Sequence, residues 1–525
     1  MINPQTTFQK IEHESGFIHL HSEDATSTGF SAVFGLRTPS FDDSGLAHAC
    51  EHLVFRRSLK YPNPATLFQL SNLLGIKINA STLSNITLFH IESTNQEHFL
   101  LALDYLSSGL WQTEYSEQDL HEEVFHFGST KQGVIFRELS GFEQLAENQH
   151  YRDWSAIIRG DHSPDRINHS GGFSDTLAHI KLDNIKAYFS NYYQPANTIL
   201  LTTGDISQET ISKCVLANIS VENLKQHRSV RHIIRPIEPD YLHENHSDNS
   251  VFSWWLPQDC FAFLHANEEL LIQLANEHSC TLLALISELN STNQFAFRIQ
   301  ANTTQIPPFQ NALLAWIAKA EFHSEPIYLQ DNYLPKRKYS PTIRQLIISY
   351  IELNNSQQAA EITTHEQLIS LLSQLPYMSS RSSLLIADEE MKSPSYQHSK
   401  LPIDAITLAW EDDILPEIQR LRSKPEVAAP PIKPFALPTF ITDLYEKALL
   451  NSTTDCWNVI ENKQHWLAVR KLSKQEYESA HNTARLISVA PPIIKSRIKG
   501  FCYSSQCQYD PEAQTLVAYK VFIKK

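Results

Sequence analysis

The first two hundred residues switch repeatedly between a period of two and a period near 3.6. Residues 17–36 alternate apolar and polar positions in two runs, FIHLH and FSAVFGL, the pattern of half-buried strands. A Ser/Asp/Gly-rich turn at 39–45 follows, and the spacing then predicts a helix from about Leu46 to Phe55. PATLFQLSNLLG predicts a second helix closed by Gly75. IKINAST and ITLFHIEST read as strands, and HFLLALDYLSSGLW as a helix with apolar residues at i, i+3, i+4 and i+7. YYQPANTILLTTGDI ends in a buried strand. Antiparallel strands with helices packed on one face make an α+β layer.

A similar order recurs after the polar stretch 223–250. SVFSWWLP reads as a strand, HANEELLIQLANEHSCTLLALISEL as one long helix, and FAFRIQANT as another strand. KPEVAAPPIKPFALP is Pro-rich and extended, the composition of a linker. Beyond it come a helix around SKQEYESAHNTARLISVAP and two strands joined by a DPEAQ turn. The expected organisation is therefore a first domain at 1–222, a second of related architecture at 223–423, a linker at 424–438 and a partial C-terminal segment at 439–525.

Length and composition fit that division. At 525 residues the chain exceeds one core, and about two to four domains are expected. With 42% hydrophobic and 19% charged residues it has an ordinary globular balance. The net charge of −15 argues against a nucleic-acid surface and weakly favours cationic peptides as partners. The N-terminal stretch lacks the pattern of a secretory signal or a transit peptide, and no run approaches the ~20 apolar residues of a membrane span. Seven cysteines without CxxC spacing suit reduced thiols. A cytoplasmic protein is the expectation.

The candidate chemistry lies in SGLAHACEHLVFRRSLKYP, residues 44–62. Residues four apart on a helix differ by ~40° in azimuth, so His48 and His52 share a face and can aim at one ion. Glu51 flanks that face. There it can take the proton of a water whose pKa a bound zinc lowers toward ~7. Taken alone, the pentapeptide also reads as an amphipathic helix that happens to carry two histidines. A third ligand must come from elsewhere. A carboxylate just beyond the apolar run Val134-Ile135-Phe136 is either a surface residue or a held ligand, and Glu138, Glu143 and Glu147 all lie nearby. Glu122 and Glu123 read as a solvated helix face. His19, His21, His150, His162, His169 and His179 lack a partner at ligand spacing.

HxxEH is the inverted zinc motif, and its surroundings resemble the M16 metallopeptidases, most nearly their presequence-protease branch. The motif is followed by an Asn-Ala-x-Thr strand (Asn79, Ala80, Thr82), then KQGVIFRELSG, HSGGFSDTL and NYYQPANTILLTTGD, in the family's order over residues 15 to about 206. The resemblance implies tandem M16-type α/β domains. It also implies one zinc per chain held by His48, His52 and Glu138, with Glu51 as general base. An extended peptide would be held on the strand containing Asn79 and Ala80 by β-augmentation. Family members complete the site with an Arg and a Tyr from the far end, and RIKGFCY supplies Arg497 and Tyr503 at that spacing. An Arg and a Tyr so placed would stabilise the oxyanion of amide hydrolysis.

Two departures stand out. That branch is usually about twice as long, with four homologous domains closed round a chamber, so a homodimer or a second M16-like subunit remains open as the missing wall. RRS replaces the usual Gly-Ser pair after the motif. The preferred expectation is a zinc endopeptidase acting on short or unfolded peptides, or a maturation protease with one cognate substrate. The alternative is a non-catalytic or partner-dependent M16 subunit that binds peptides or assembles with a second chain.

Overall fold

A computed structural model of the chain describes residues 9–23, 29–83, 85–127, 131–143, 169–219, 245–257, 260, 263–264, 267–287, 294–319, 365–374, 377–382, 397–407, 411–423, 434–462 and 464–522. It has the mixed helix-and-sheet architecture expected. Strands β1 (Gln9–Glu12), β2 (Ile18–Glu23), β3 (Phe30–Arg37), β4 (Lys77–Thr82) and β5 (Ile86–Ser93) precede the short pair β6 (His126–Phe127) and β7 (Lys131–Gln132), then β8 (Thr198–Gly204). The first sheet has the order β1-β2-β8-β3-β5-β4. Its pairings are antiparallel except β2 with β8, which run parallel. β4 is an edge strand, with Asn79 opposite His90 and Ala80 opposite Phe89 on β5.

Helices α1 (Leu46–Val54), α2 (Thr66–Leu73), α3 (Gln96–Trp111), α4 (Glu117–Glu123), α5 (Val134–Glu143), α6 (Leu182–Tyr192) and α7 (Gln208–Leu216) belong with this sheet. They begin and end where local chemistry directs. The Asn95 side chain caps α3 by accepting the His98 N–H at 3.0 Å. Ser116 and Asp119 form a reciprocal capping box on α4. The buried face of α1, with Ala49, Cys50, Leu53 and Val54, joins a core that includes Phe34, Leu36, Phe89 and Leu106.

The second unit contains β9 (Asn245–Pro257), α8 (Glu268–Glu277), β10 (Thr281–Ser287), β11 (Gln294–Ala301), α9 (Ile306–Ile317), α10 (His365–Ser373) and β12 (Tyr377–Ser382), with sheet order β10-β11-β9-β12. The single long helix expected across 265–289 is broken in two. The Cys280 N–H closes onto the Ala275 carbonyl at 2.8 Å, and Ser279 takes a positive φ of 54°. The run TLLALIS then pairs with β11. A short apolar run fits a buried strand as well as a helix, and here the waiting partner strand decides.

The boundary expected at 423 also moves. β13 (Gln397–Pro402) pairs with β14 (Cys456–Glu461), and β15 (His465–Lys471), β16 (Ser504–Asp510) and β17 (Thr515–Val521) complete a five-stranded sheet of order β13-β14-β15-β17-β16. Helix α11 (Pro416–Arg422) buries Ile418 and Leu421 in the first core. The Gln69 side-chain amide exchanges hydrogen bonds with the Asp413 carbonyl and the Leu415 N–H. α12 (Thr439–Leu450), α13 (Ala480–Val489) and α14 (Pro491–Ile498) pack on the C-terminal sheet. The end of the expected linker is anchored, because Phe435 and Leu437 pack against the core of Ile441, Tyr445 and Val517. Residues 424–433 lie outside the described residues. The C-terminal segment is thus a five-stranded unit that draws a strand from before the Pro-rich stretch.

Candidate metal centre and active site

Helix α1 begins at Gly45, whose φ of 80° favours glycine and whose added Cβ would lie 2.7 Å from the Gly171 carbonyl oxygen. That contact seats the loop 169–172 against the start of the helix. The loop is held by the His169 N–H donating to Asp43 Oδ1 at 2.7 Å. His48 then meets the Gly171 carbonyl at 3.1 Å through Nδ1. A carbonyl can only accept, so Nδ1 carries the proton and Nε2 keeps its lone pair. One turn on, His52 Nδ1 meets Glu123 Oε1 at 2.9 Å, which directs its Nε2 the same way.

From α5, the Glu138 carboxylate arrives 3.7 Å from His52 Nε2. One ligand atom from each of His48, His52 and Glu138 lies within 4.8 Å of the other two. Among the described residues this is the one cluster of that kind. Two imidazoles with lone pairs directed inward and one carboxylate are a donor set that would hold zinc. Burial, and then His52 beside it, lower the pKa of His48, against the opposing pull of Glu51 and Glu138, and so favour the neutral ligand form. Glu143 faces elsewhere, accepting the Ser174 N–H at 2.7 Å. Glu147, His150 and His162 lie outside the described residues.

Glu51 is buried and accepts a hydrogen bond from Thr82 Oγ1 at the end of the edge strand β4. A cavity of ≈ 450 Å³ opens on His48, Glu51, His52 and Glu138. Asn79 and Ala80 line it from β4, and Arg497 and Tyr503 from the C-terminal unit. All eight site residues expected from the sequence therefore border one space. His19 and His21 do not: they are buried against Thr202 and Ser212 in the body of the domain.

Glu123 overturns the expectation of a solvated face. Its side chain is 4% exposed, and besides His52 it is gripped by Arg497, whose two terminal nitrogens reach its oxygens at 3.3 and 3.2 Å. Arg56 donates to it as well, at 3.4 Å. Burial works to raise the Glu123 pKa, but Arg497, His52 and Arg56 outweigh it and hold the carboxyl well below its usual range. Arg56 also bonds Asp119, Glu122 and the Ile498 carbonyl, the last at 2.7 Å. This explains the RRS departure: Arg56 ties α1, α4 and the C-terminal unit together. The two arginines beside the motif hint at acidic partners without saying which: Arg56 bonds Asp119, Glu122 and Glu123, and Arg57 bonds Asp119. Arg497 faces Glu123 in this structure while lining the cavity, so its observed contact holds the carboxylate that bonds His52.

Residues 19–141 match the family model described as Insulinase (Peptidase family M16). The mitochondrial presequence protease of Eremothecium gossypii is 27% identical over 223 residues, covering 39% of this chain and 21% of that protein. That of Gibberella zeae is 26% identical over 220 residues, with 38% and 21% covered. The matched stretch thus spans about a fifth of the length of these curated relatives. Among solved structures, a Helicobacter pylori protease aligns with 70% of this chain and 86% of its own at a TM-score of 0.46 and 17% identity. Pitrilysin aligns with 99% of this chain and 61% of its own at 0.45 and 14%. Overlaps that loose carry no weight for chemistry. On the sequence matches, residues 19–141 of the chain are similar to the M16 peptidase family.

Proposed function

We propose that this chain is a zinc-dependent endopeptidase acting on short or unfolded peptides. The observation that carries the reading is the convergence of His48, His52 and Glu138 with Glu51 on one cavity, beside the open edge of β4. Zinc held by the three ligands would supply Lewis-acid polarisation and a water of lowered pKa. The chain's own residues do the rest. An extended peptide adds along β4, its backbone gripped at Asn79 and Ala80 with little demand on its side chains. Glu51, steadied by Thr82, takes the proton of the attacking water and delivers it to the leaving amine nitrogen. Tyr503 lies across the cavity as an oxyanion donor, and Arg497 holds Glu123 and, through it, His52. A folded protein offers no free strand, so selection falls on unfolded or short chains. None of the seven cysteines, all of them described, is in a disulfide, which supports a reducing compartment.

Metal analysis together with a quenched fluorogenic peptide tests this reading. Purified protein should carry about one zinc, lose cleavage with a chelator and regain it with zinc. Bound zinc with no cleavage of any unfolded peptide would favour the partner-dependent M16 subunit instead.

A further inference from the structure

His48 and His52 stand on α1 and Glu138 on α5, and residues 169–176 are bonded to both helices. On the α1 side, Asp43 Oδ1 accepts the His169 N–H at 2.7 Å, and Thr176 Oγ1 donates to the Asp43 carbonyl at 2.9 Å, just before the helix starts. The Gly171 carbonyl accepts from His48 itself at 3.1 Å. On the α5 side, Glu143 receives both donors of Ser174, its N–H on Oε1 at 2.7 Å and its hydroxyl on Oε2 at 2.6 Å. Between these ends the segment is bonded to itself. The Gly172 N–H closes onto the His169 carbonyl at 2.9 Å, Thr176 Oγ1 accepts the Phe173 N–H at 3.0 Å, and the His169 ring stacks on Phe173 at 4.9 Å between centroids. Asp43, Ser174 and Thr176 are buried, so water competes little for these bonds.

Glu143 follows Glu138 by five residues, which places it ~7.5 Å along α5 and ~140° round it. It cannot share the metal-facing side of the helix, and its carboxylate grips one serine instead. We infer that Glu143 is a positioning residue: by clamping Ser174 it fixes residues 169–176 to α5 and thereby sets where Glu138 stands relative to His48. The inference rests on the zinc reading of the cluster and deepens it. Arg137 Nε, next to the ligand, donates to the Gly500 carbonyl at 3.0 Å. Glu138 thus lies between two anchors of α5, one on the C-terminal unit and one on this segment. Hydrogen bonds to a charged carboxylate are about twice as strong as neutral ones, and a ligand set must be held within about 0.5 Å to keep its geometry. A carboxylate used in this way orients the metal site without touching the metal.

The test uses the full chain, with zinc affinity measured by chelator competition and ligand geometry read from the visible spectrum of the cobalt-loaded protein. Glu143→Ala should weaken zinc binding about tenfold and alter the cobalt bands. Glu143→Gln should stay within about threefold of wild type, because its amide oxygen accepts the Ser174 N–H and its amide nitrogen donates to Ser174 Oγ. Ser174→Ala should weaken binding about threefold, and adding it to Glu143→Ala should cost nothing more, as for two groups acting through one contact. A merely structural role lowers the urea midpoint of Glu143→Ala while the folded protein keeps wild-type zinc affinity and cobalt bands, and that result overturns the inference. Glu143→Gln binding zinc as weakly as Glu143→Ala would mean that the charge itself acts on the metal, and overturns it too. If Glu143→Ala does not fold, Ser174→Ala, which keeps the backbone bond, decides alone, with wild-type affinity counting against the inference. Wild-type protein that takes up neither metal overturns the zinc reading and this inference with it. If wild-type protein binds zinc but cuts no peptide, the peptidase reading fails and the affinities still decide the role of Glu143.

Discussion

Residues four apart in HACEH already limit the chemistry, because a helix puts both imidazoles on one face. Glu138 among its acidic neighbours needed the family pattern, and the geometry agrees with it: Glu138 meets His52, while Glu143 holds Ser174. Glu123 was illegible for a physical reason. Its decisive partner Arg497 lies 374 residues away, and no local pattern marks a carboxylate as buried when its counter-ion comes from another unit. A carboxylate that orients a metal-binding imidazole is typically worth about 10–100-fold in metal affinity. Glu123→Gln should therefore weaken zinc binding by about that factor in a chelator competition, with the fold retained. Unchanged affinity would show that the His52 contact is incidental to the metal.

At the scale of elements, the first domain was read nearly strand for strand, since each run carried a clear period and its own turn chemistry. TLLALIS was misread because its apolar positions suit helix and buried strand alike, and only β11 settles the matter. The docking of α14 onto the first domain hinges on Gly500, at φ 71°. Its N–H lies in the turn after α14, and its carbonyl accepts from the Gly133 N–H at 3.1 Å and from Arg137 Nε at 3.0 Å. A Cβ there would lie 2.2 Å from the Glu122 carbonyl oxygen. Gly500→Ala should destabilise the protein by about 1–3 kcal/mol, measured by urea unfolding. Peptide cleavage should fall further than stability alone explains, because the turn also carries Arg497 and Tyr503 to the cavity. Wild-type cleavage in this variant would show that the wall's placement is not critical.

For the whole molecule, composition anticipated several units but not their boundaries. Strand order is a property of distant pairings, so nothing near residue 400 announces that β13 crosses to β14. The resemblance leaves a missing wall as an open question, and in the structure the chain's own C-terminal unit lines, with Arg497, Tyr503 and Ser504, the cavity that holds His48, His52 and Glu138. Acid stability is also a property of the whole. Burial, and then the neighbouring His21, lower the pKa of His19 to about 3, and burial, then His48, lower that of His169 to about 4. Unfolded histidine takes up a proton below ~6.5 while these stay neutral in the fold. Their contribution is therefore complete above that pH and is lost as the pH falls towards their folded values, by up to about 1.4 kcal/mol per pH unit for each group. Glu123, held low, adds its loss only below the ordinary carboxylate range. Urea midpoints should thus fall between about pH 6.5 and 4.5, and less steeply in His19→Gln. A flat profile across that window would contradict the neutral burial of these rings.

The central claim is that Glu51 performs proton transfer at a zinc site built by His48, His52 and Glu138. Zinc content and peptide cleavage of Glu51→Gln, measured side by side with wild type on the same preparation, test it most directly. The account predicts about one zinc per chain in both proteins and a loss of at least about a hundredfold in cleavage for the variant. Cleavage near the wild-type rate in Glu51→Gln, or no zinc in either protein after loading, would contradict it.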